Sequence, residues 1–425
     1  MTDLASSLHS WLDHLDSTNE LAWYQHVVSQ DLKCGCKLPS TYCDTWKAVL
    51  DPPAGTRANS FWLHTEPTQI TDAQIQAEAP RRRYIILNAR EYPLIPKFKA
   101  ANPNCVVFCY KDLSSVRSYD THSDVRMLPA GISYGYAKTM PHWQAQDSSG
   151  RWLEYEGYGG HWQMDVGQPG YQNAWATNVA KMKALGFDGI WMDNALWFRD
   201  TYHEDIPVRG YASDEAFREA YRAFFRAVCP RMKAAGLLTV ANMADARRVQ
   251  GGWNSYLDAG LDGGFDEWWL VFGDADLLAH YSEGWGRQVD EIVYAESKGK
   301  ICLVQPHFTA GNTRAFRYAL ASYLMGHGGK SAISEIQVTD GYDKPSPWHV
   351  EYDWNLGTPS GVYRSVGTNL FRRDFTRGCV VVNANPTSSG PVTIQLGGTY
   401  LNEGGASVTS VSLAGTSGAI LRKVS

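Results

Sequence analysis

No stretch of this 425-residue sequence approaches the 18 apolar residues that a membrane span requires. The opening Met1-Thr2-Asp3-Leu4-Ala5 has neither the basic nor the apolar segment of a secretory signal. A soluble protein is expected, extracellular or virion-associated, or else cytoplasmic. Runs of one charge are equally scarce. The longest basic run is Arg81-Arg82-Arg83 and the net charge is only -5, which makes nucleic acid and acidic membrane surfaces poor partners. H-E-x-x-H, the P-loop and paired C-x-x-C are absent, which argues against metalloprotease, nucleotide and dithiol chemistry. His64 stands alone where a metal-dependent hydrolase barrel carries H-x-H, so no metal or cofactor is expected. Cysteine numbers only eight. Cys105, Cys109 and Cys302 sit in apolar β-like runs and read as buried free thiols. Cys34, Cys36 and Cys43 crowd one polar stretch near His26, but their spacing fits no standard zinc module, and a disulfide or unpaired thiols are the better reading.

Aromatic residues are abundant: sixteen Trp and twenty-three Tyr, many of them in Gly-rich or polar segments. Rings with a polar edge fill cores well, yet they also stack on the apolar faces of sugars. Hydrophobic residues at 44% and charged residues at 20% allow a large core and exclude global disorder.

Three segments follow from the patterning. Residues 1–57 read as a helical extension, with Leu8, Trp11, Leu12 and Leu15 at helical spacing and a stop at Asp51-Pro52-Pro53-Ala54-Gly55. Residues 58–354 alternate short apolar runs with amphipathic ones. Strands are expected at Ser60–His64, Tyr84–Asn88, Cys105–Tyr110, Gly189–Asp193, Leu238–Asn242, Gly264–Trp268, Ile301–Gln305 and Ser331–Ile336. Helices are expected at Tyr171–Leu185, Asp214–Ala235 (with Ser213 as N-cap), Ser282–Ser297 and Thr313–Met325, the last ended by Gly326. Eight strands separated by helices predict a (β/α)₈ TIM barrel of the α/β class. A doubly wound sheet fits less well, since no Gly-rich phosphate turn follows the first strand. Residues 355–425, rich in Val, Thr, Ser and Gly with period-two stretches, predict a small antiparallel β-sandwich.

Chemistry is expected at the C-terminal ends of the barrel strands. The run Gly186-Phe187-Asp188-Gly189-Ile190-Trp191-Met192-Asp193-Asn194 delivers Asp193 to the tip of the fourth strand, where a carboxylate must be solvated, paired or functional. Capping or a structural cation is its plain alternative. In Gly263-Gly264-Phe265-Asp266-Glu267-Trp268-Trp269, alternation puts Phe265 and Glu267 on one face, so Glu267 is favoured over Asp266 as the second acid. An ion pair with Arg247 or Arg248 is the plain alternative there. Glu335 is a further catalytic candidate. Glu66, Asp165, Trp162, Asn194, Trp197, Asn242, Trp268, Gln305 and His307 are expected to bind substrate. The 111–170 connection, with its many Trp and Tyr, is too long for a simple loop and lies on the active-site side.

The fourth-strand run resembles the signature of the glycoside hydrolase barrels related to α-galactosidase, α-amylase and polygalactosaminidase. The Gly378–Asn385 run, Pro386-Thr387 and the Val408–Leu421 stretch are similar to the β-domain that closes such enzymes. The nearest resemblance is to the hypothetical glycosyl hydrolase group called GHL15-like, over residues 58–425 in architecture. It implies Asp193 as nucleophile or base and an acid at Glu267 or Asp266, with α-linked substrates and retention common among relatives. The expected activity is endo-hydrolysis of a bacterial or cell-wall polysaccharide, by paired carboxyl groups across the scissile bond. The expected partner is that polysaccharide, and the oligomeric state stays open. A non-catalytic carbohydrate-binding or phage-virion adhesion protein on a barrel scaffold is the alternative, and a lyase or transglycosylase is a third.

Overall fold

The computed structural model describes residues 57–281, 283–337, 342 and 344–424. The expected helical extension, with His26, Cys34, Cys36 and Cys43, lies outside the described residues. Eight parallel strands form one sheet: β1 (Phe61–Leu63), β2 (Tyr84–Asn88), β3 (Val106–Asp112), β4 (Gly189–Asp193), β5 (Leu238–Asn242), β6 (Gly263–Asp266), β7 (Ile301–Val304) and β8 (Ala332–Ile333). They pair in sequence order, as a barrel requires. The seam between β8 and β1 is held by Ile333 N–H donating to the Asn59 carbonyl at 3.0 Å, and by the Ser334 hydroxyl donating to the Phe61 carbonyl. The barrel is thus nearly closed.

Period-two alternation divides the strand residues between two cores. Phe61, Tyr84, Ile86, Phe108, Tyr110, Trp191, Leu238, Val240, Phe265 and Leu303 belong to one buried cluster, which fills the barrel. Their neighbours Ile85, Leu87, Val107, Cys109, Ile190 and Ala241 join the larger cluster with the surrounding helices. Those helices include α1 (Asp72–Glu78), α2 (Ile95–Ala101), α3 (Pro169–Val179), α4 (Asp214–Ala234), α5 (Gly252–Leu257), α6 (Trp285–Ser297) and α7 (Thr313–Gly326). Ser213 caps α4, its hydroxyl accepting from Ala216 N–H at 3.2 Å. The expected Tyr171–Leu185 helix is α3 followed by a 3₁₀ segment, Ala180–Leu185, and it stops at Gly186 with φ 98°, a left-handed turn that favours glycine.

Gly326 is the last residue of α7, one position past the expected end, and it has a second role in packing. A Cβ there would sit 2.8 Å from the Cβ of Ile292, so the missing side chain lets α7 approach α6 closely. Cys105, Cys109 and Cys302 are buried free thiols, as are Cys229 and Cys379.

The C-terminal strands are β9 (Arg364–Gly367), β10 (Leu370–Phe375), β11 (Gly378–Asn383), β12 (Val392–Leu401), β13 (Ser407–Leu413) and β14 (Ser417–Lys423). They form one antiparallel sheet in the order β9-β10-β11-β14-β12-β13. The sandwich character comes from a half-barrel arrangement. One face encloses Leu370, Val381, Ile394, Leu396, Leu413 and Leu421. The other packs on the barrel helices, where Trp285 stacks on Phe371 with centroids 4.2 Å apart. Arg373 fastens the same face by donating to the carbonyls of Leu324 and His327 at 2.8 and 2.7 Å. No described helix is long and apolar enough to cross a membrane.

Candidate active site

Because Tyr84, Ile86, Phe108, Tyr110, Trp191, Leu238, Val240 and Phe265 point into the barrel, the residues an even number of steps further along face the same way. Parity therefore brings Asn88, Asp112, Asp193, Asn242 and Glu267 together at the C-terminal mouth. A cavity of about 510 Å³ opens there, and Glu66, Tyr110, Arg117, Asp193, Asn194 and Glu267 are among its lining residues. Tyr119, Tyr155, Tyr158, Tyr202 and Tyr342 line the same space.

Asp193 and Glu267 are joined through Asn242. Its Nδ2 donates to Asp193 Oδ1 at 3.1 Å and to Glu267 Oε2 at 2.9 Å. Asp193 Oδ1 and Glu267 Oε2, so close to one nitrogen, are at most about 6 Å apart, a bound compatible with the roughly 5–5.5 Å spacing of retaining glycosidases. Asp193 also accepts from Asn194 N–H at 2.9 Å and from the Tyr110 hydroxyl at 2.6 Å. Behind Tyr110, Arg117 donates to the phenol oxygen at 3.0 Å. Glu267 Oε1 accepts from the Tyr342 hydroxyl, and the Glu267 carbonyl accepts from His307 Nε2 at 2.6 Å.

Burial first, and then the neighbouring Asp112, raise the pKa of Asp193, while the donors Tyr110 and Asn242 and the Arg117 cation oppose the rise. Burial and then Asp193 raise that of Glu267, against the donors Tyr342 and Asn242. Each has an arginine opposing the rise, Arg117 for Asp193 and Arg247 for Glu267, but Asp193 holds three donors and Glu267 two side-chain donors. Charge-assisted bonds stabilise the ionised form, so the arrangement favours Asp193 as the carboxylate and Glu267 as the protonated partner. Burial lowers the pKa of His161 to about 4, with Arg117 adding to the effect, so that ring is neutral near pH 7.

Asp112 is a residue that sequence reading missed, because the expected third strand stopped at Tyr110. It is fully buried and takes hydrogen bonds from Ser114 N, Ser115 N, Ser115 Oγ and Asn194 Nδ2 at 2.5–2.9 Å. With its lone pairs taken up in this way, Asp112 holds Asn194, which adopts φ 60°, so that the Asn194 N–H meets Asp193. Tyr342 was missed too: no periodic pattern surrounds it, and only the fold carries it to Glu267.

The other expected site residues are dispersed. Asp266 faces outward, is 0% exposed, and pairs with Arg247 at 3.0 Å. Glu335 bonds His349 Nε2 at 2.7 Å and lines a separate small cavity with Gln305, which Tyr342 divides from the larger one. Asp165 precedes α3, where it accepts from Gly167 N–H, Gln168 Nε2 and the Tyr211 hydroxyl, and it is not on the cavity wall. Trp197, at 2% exposure, packs against Tyr256 and under Arg218 in the core. Trp268 is 42% exposed and stacks on His307 with centroids 3.6 Å apart, beside the mouth rather than in it. Trp162 lines a second cavity next to the first. The letters G-x-S-x-G, which sequence reading passed over, occur at Gly131-Ile132-Ser133-Tyr134-Gly135. Ser133 there caps a short helix, Tyr134–Thr139, accepting from Tyr136 N–H at 3.2 Å, and is no strand-tip nucleophile. Among the described residues no three His, Cys, Asp or Glu side chains group as a metal site.

No curated protein matches the sequence. Among solved structures, the chain is similar to the glycoside hydrolase domain of PelA from Pseudomonas aeruginosa, at 14% identity over 70% of this chain and 98% of that one, with a TM-score of 0.44. It is similar to the alpha-glucosyl transfer enzyme XgtA at 13% identity, over 87% of this chain and 98% of that one, with a TM-score of 0.48. It is also similar to the GH31 dextranase FjDex31A of Flavobacterium johnsoniae, at 9% identity over 87% of this chain and 52% of that one, with a TM-score of 0.48. The model of the hypothetical glycosyl hydrolase family 15, GHL15, matches residues 99–379, well over half of the chain and six of its eight barrel strands, and the protein belongs to that family.

Proposed function

We propose that the protein hydrolyses O-glycosidic bonds in a bacterial or cell-wall polysaccharide, with Asp193 as nucleophile and Glu267 as general acid. The observation that carries this reading is the single Asn242 amide shared by the two carboxyl groups. It supports a spacing suited to a covalent glycosyl-enzyme intermediate and net retention.

In this mechanism Asp193 attacks the anomeric carbon as the Glu267 proton passes to the leaving oxygen. The bond from carbon to leaving oxygen breaks and an ester to Asp193 forms. Glu267, now ionised, takes a proton from water, which cleaves the ester and restores both groups. The Arg117–Tyr110 pair and the Asn194 N–H keep Asp193 ionised and fixed in direction. His307 and Tyr342 hold the backbone and carboxyl of Glu267. The tyrosines around the mouth offer ring faces and hydroxyls to several sugar units, which suits an internal cleavage point.

The test is incubation of the protein with neutral, amino and acidic bacterial polysaccharides, read as released oligosaccharides. Asp193→Asn and Glu267→Gln are each expected to reduce release at least 10³-fold, the scale on which loss of a single catalytic group acts. Full activity in either variant would overturn the assignment. Binding without cleavage by the unaltered protein would point instead to an adhesion role.

A further inference from the structure

Two antiparallel segments, Ser115–Arg117 and His161–Gln163, form a ribbon over the barrel mouth, with Arg117 opposite His161 and Val116 opposite Trp162. Successive strand residues face opposite sides. Arg117 and His161 accordingly face the Asp193 cavity, and Trp162 faces away from it into a second cavity of about 690 Å³. Trp152 and Trp162 form a corner of that cavity, their rings 6.4 Å apart and crossed at 79°. The Trp162 indole N–H is shielded from solvent and has no hydrogen-bond partner. Tyr202 lines both cavities, and its hydroxyl donates to Asn194 Oδ1 at 3.3 Å.

Charge on the second cavity is one-sided. Glu154, Glu156 and Glu204 line it, and the lone lining cation among the described residues, Arg151, is already paired with Asp147 at 3.1 Å. The neighbouring Glu204 carboxyl, and then burial, raise the pKa of Glu156. Indole and phenol faces suit the apolar face of a pyranose or furanose ring, and carboxyl oxygens accept from hydroxyl or ammonium groups. The same oxygens repel a uronate or a phosphate.

We propose that this cavity, framed by Trp152, Trp162 and Tyr202 and edged by Glu154, Glu156 and Glu204, is a second glycan-binding site that accepts neutral or amino sugars and rejects acidic ones. It rests on the reading of the chain as a glycan-active protein and places a binding site behind the ribbon, outside the catalytic cavity. A polysaccharide engaging both cavities at once would gain effective concentration at the Asp193 site.

The test uses the full chain and four probes: hexamers of maltose type, N-acetylglucosamine, glucosamine and galacturonic acid. Binding is followed by intrinsic tryptophan fluorescence and by calorimetry, in the unaltered protein and in Trp152→Ala, Trp152→Phe and the Asp193→Asn/Glu267→Gln double variant. At least one neutral or amino hexamer is expected to bind saturably. It should bind Trp152→Ala at least about tenfold more weakly, through loss of a buried ring face, and Trp152→Phe by a smaller factor. Unchanged circular dichroism of Trp152→Ala separates this loss from unfolding. The double variant is expected to bind with unaltered affinity at this site. If the protein cleaves nothing while Trp152-dependent binding persists, the catalytic reading falls and this site stands. Absence of binding by every neutral and amino hexamer, binding indifferent to Trp152, or equal binding of the galacturonate hexamer would each overturn the proposal.

Discussion

Replacing Asn242 with Ala removes the one group that donates to both Asp193 and Glu267, at 3.1 and 2.9 Å. A hydrogen bond to a charged group contributes about 1.5–3 kcal/mol. The low end applies to each bond here, because the cavity is open and water refills the place of the amide. Both carboxyl groups already sit above their ordinary values of 3.8 and 4.5, since burial outweighs their donors. Losing a donor raises them further, by about one pH unit for each 1.4 kcal/mol. The sign for stability follows from linkage. A carboxyl group whose folded pKa lies above its unfolded pKa loses stability as pH rises from the unfolded value through the folded one. The penalty of Asn242→Ala is therefore smallest toward low pH, where both groups are protonated in the folded protein, and grows toward pH 7 by about 1.5–3 kcal/mol. Urea unfolding of the two proteins at pH 4, 5.5 and 7 measures this without any substrate. In a cleavage assay the same change moves the acid limb of the kcat/KM profile upward by about one unit. A destabilisation that is the same at pH 4 and pH 7 would refute the shared-amide reasoning.

Two further substitutions probe the scaffold. Arg247→Ala leaves Asp266, and Glu291 beside it, buried without their cation, and should cost about 3–5 kcal/mol at pH 7, whereas Arg247→Met with Asp266→Leu recovers most of it; a cost below about 1 kcal/mol for the single change, measured by denaturant unfolding, would show the pair to be unimportant. Gly326→Ala gains up to about 1 kcal/mol in helix propensity but drives a methyl group to 2.8 Å from Ile292 and 3.2 Å from the Val293 backbone nitrogen, so a net loss of about 1–2 kcal/mol is expected, and a more stable variant would contradict the close approach of α6 and α7.

Much of the barrel was legible because its rules are local. Apolar runs such as Tyr84–Asn88 and Leu238–Asn242 coincide with β2 and β5 residue for residue. Ser213 before an amphipathic run marks the start of α4. The choice between Asp266 and Glu267 also follows from alternation, since Phe265 fixes which neighbour faces the barrel. Strand ends were less legible. The third strand continues through Lys111 and Asp112, two charged residues that read as loop, because Lys111 is buried and donates to the Val125 and Leu128 carbonyls. Gly326 closes α7, as its letter suggests, and is also a contact point, a second role that only the position of Ile292 reveals.

The sequence by itself determined the barrel class, the all-β C-terminal segment, and the arrival of Asp193 and Glu267 at strand tips, because hydrophobic period and alternation depend on a residue and its near neighbours. Tertiary structure alone decided which polar groups meet. Tyr342 reaches Glu267 across 75 residues, and Tyr110 reaches Asp193 across 83. Trp197 and Trp268, alike as letters, ended one in the core and one at the surface. Such partnerships are set by barrel closure and loop packing, which bring distant segments together and leave no periodic mark on the chain.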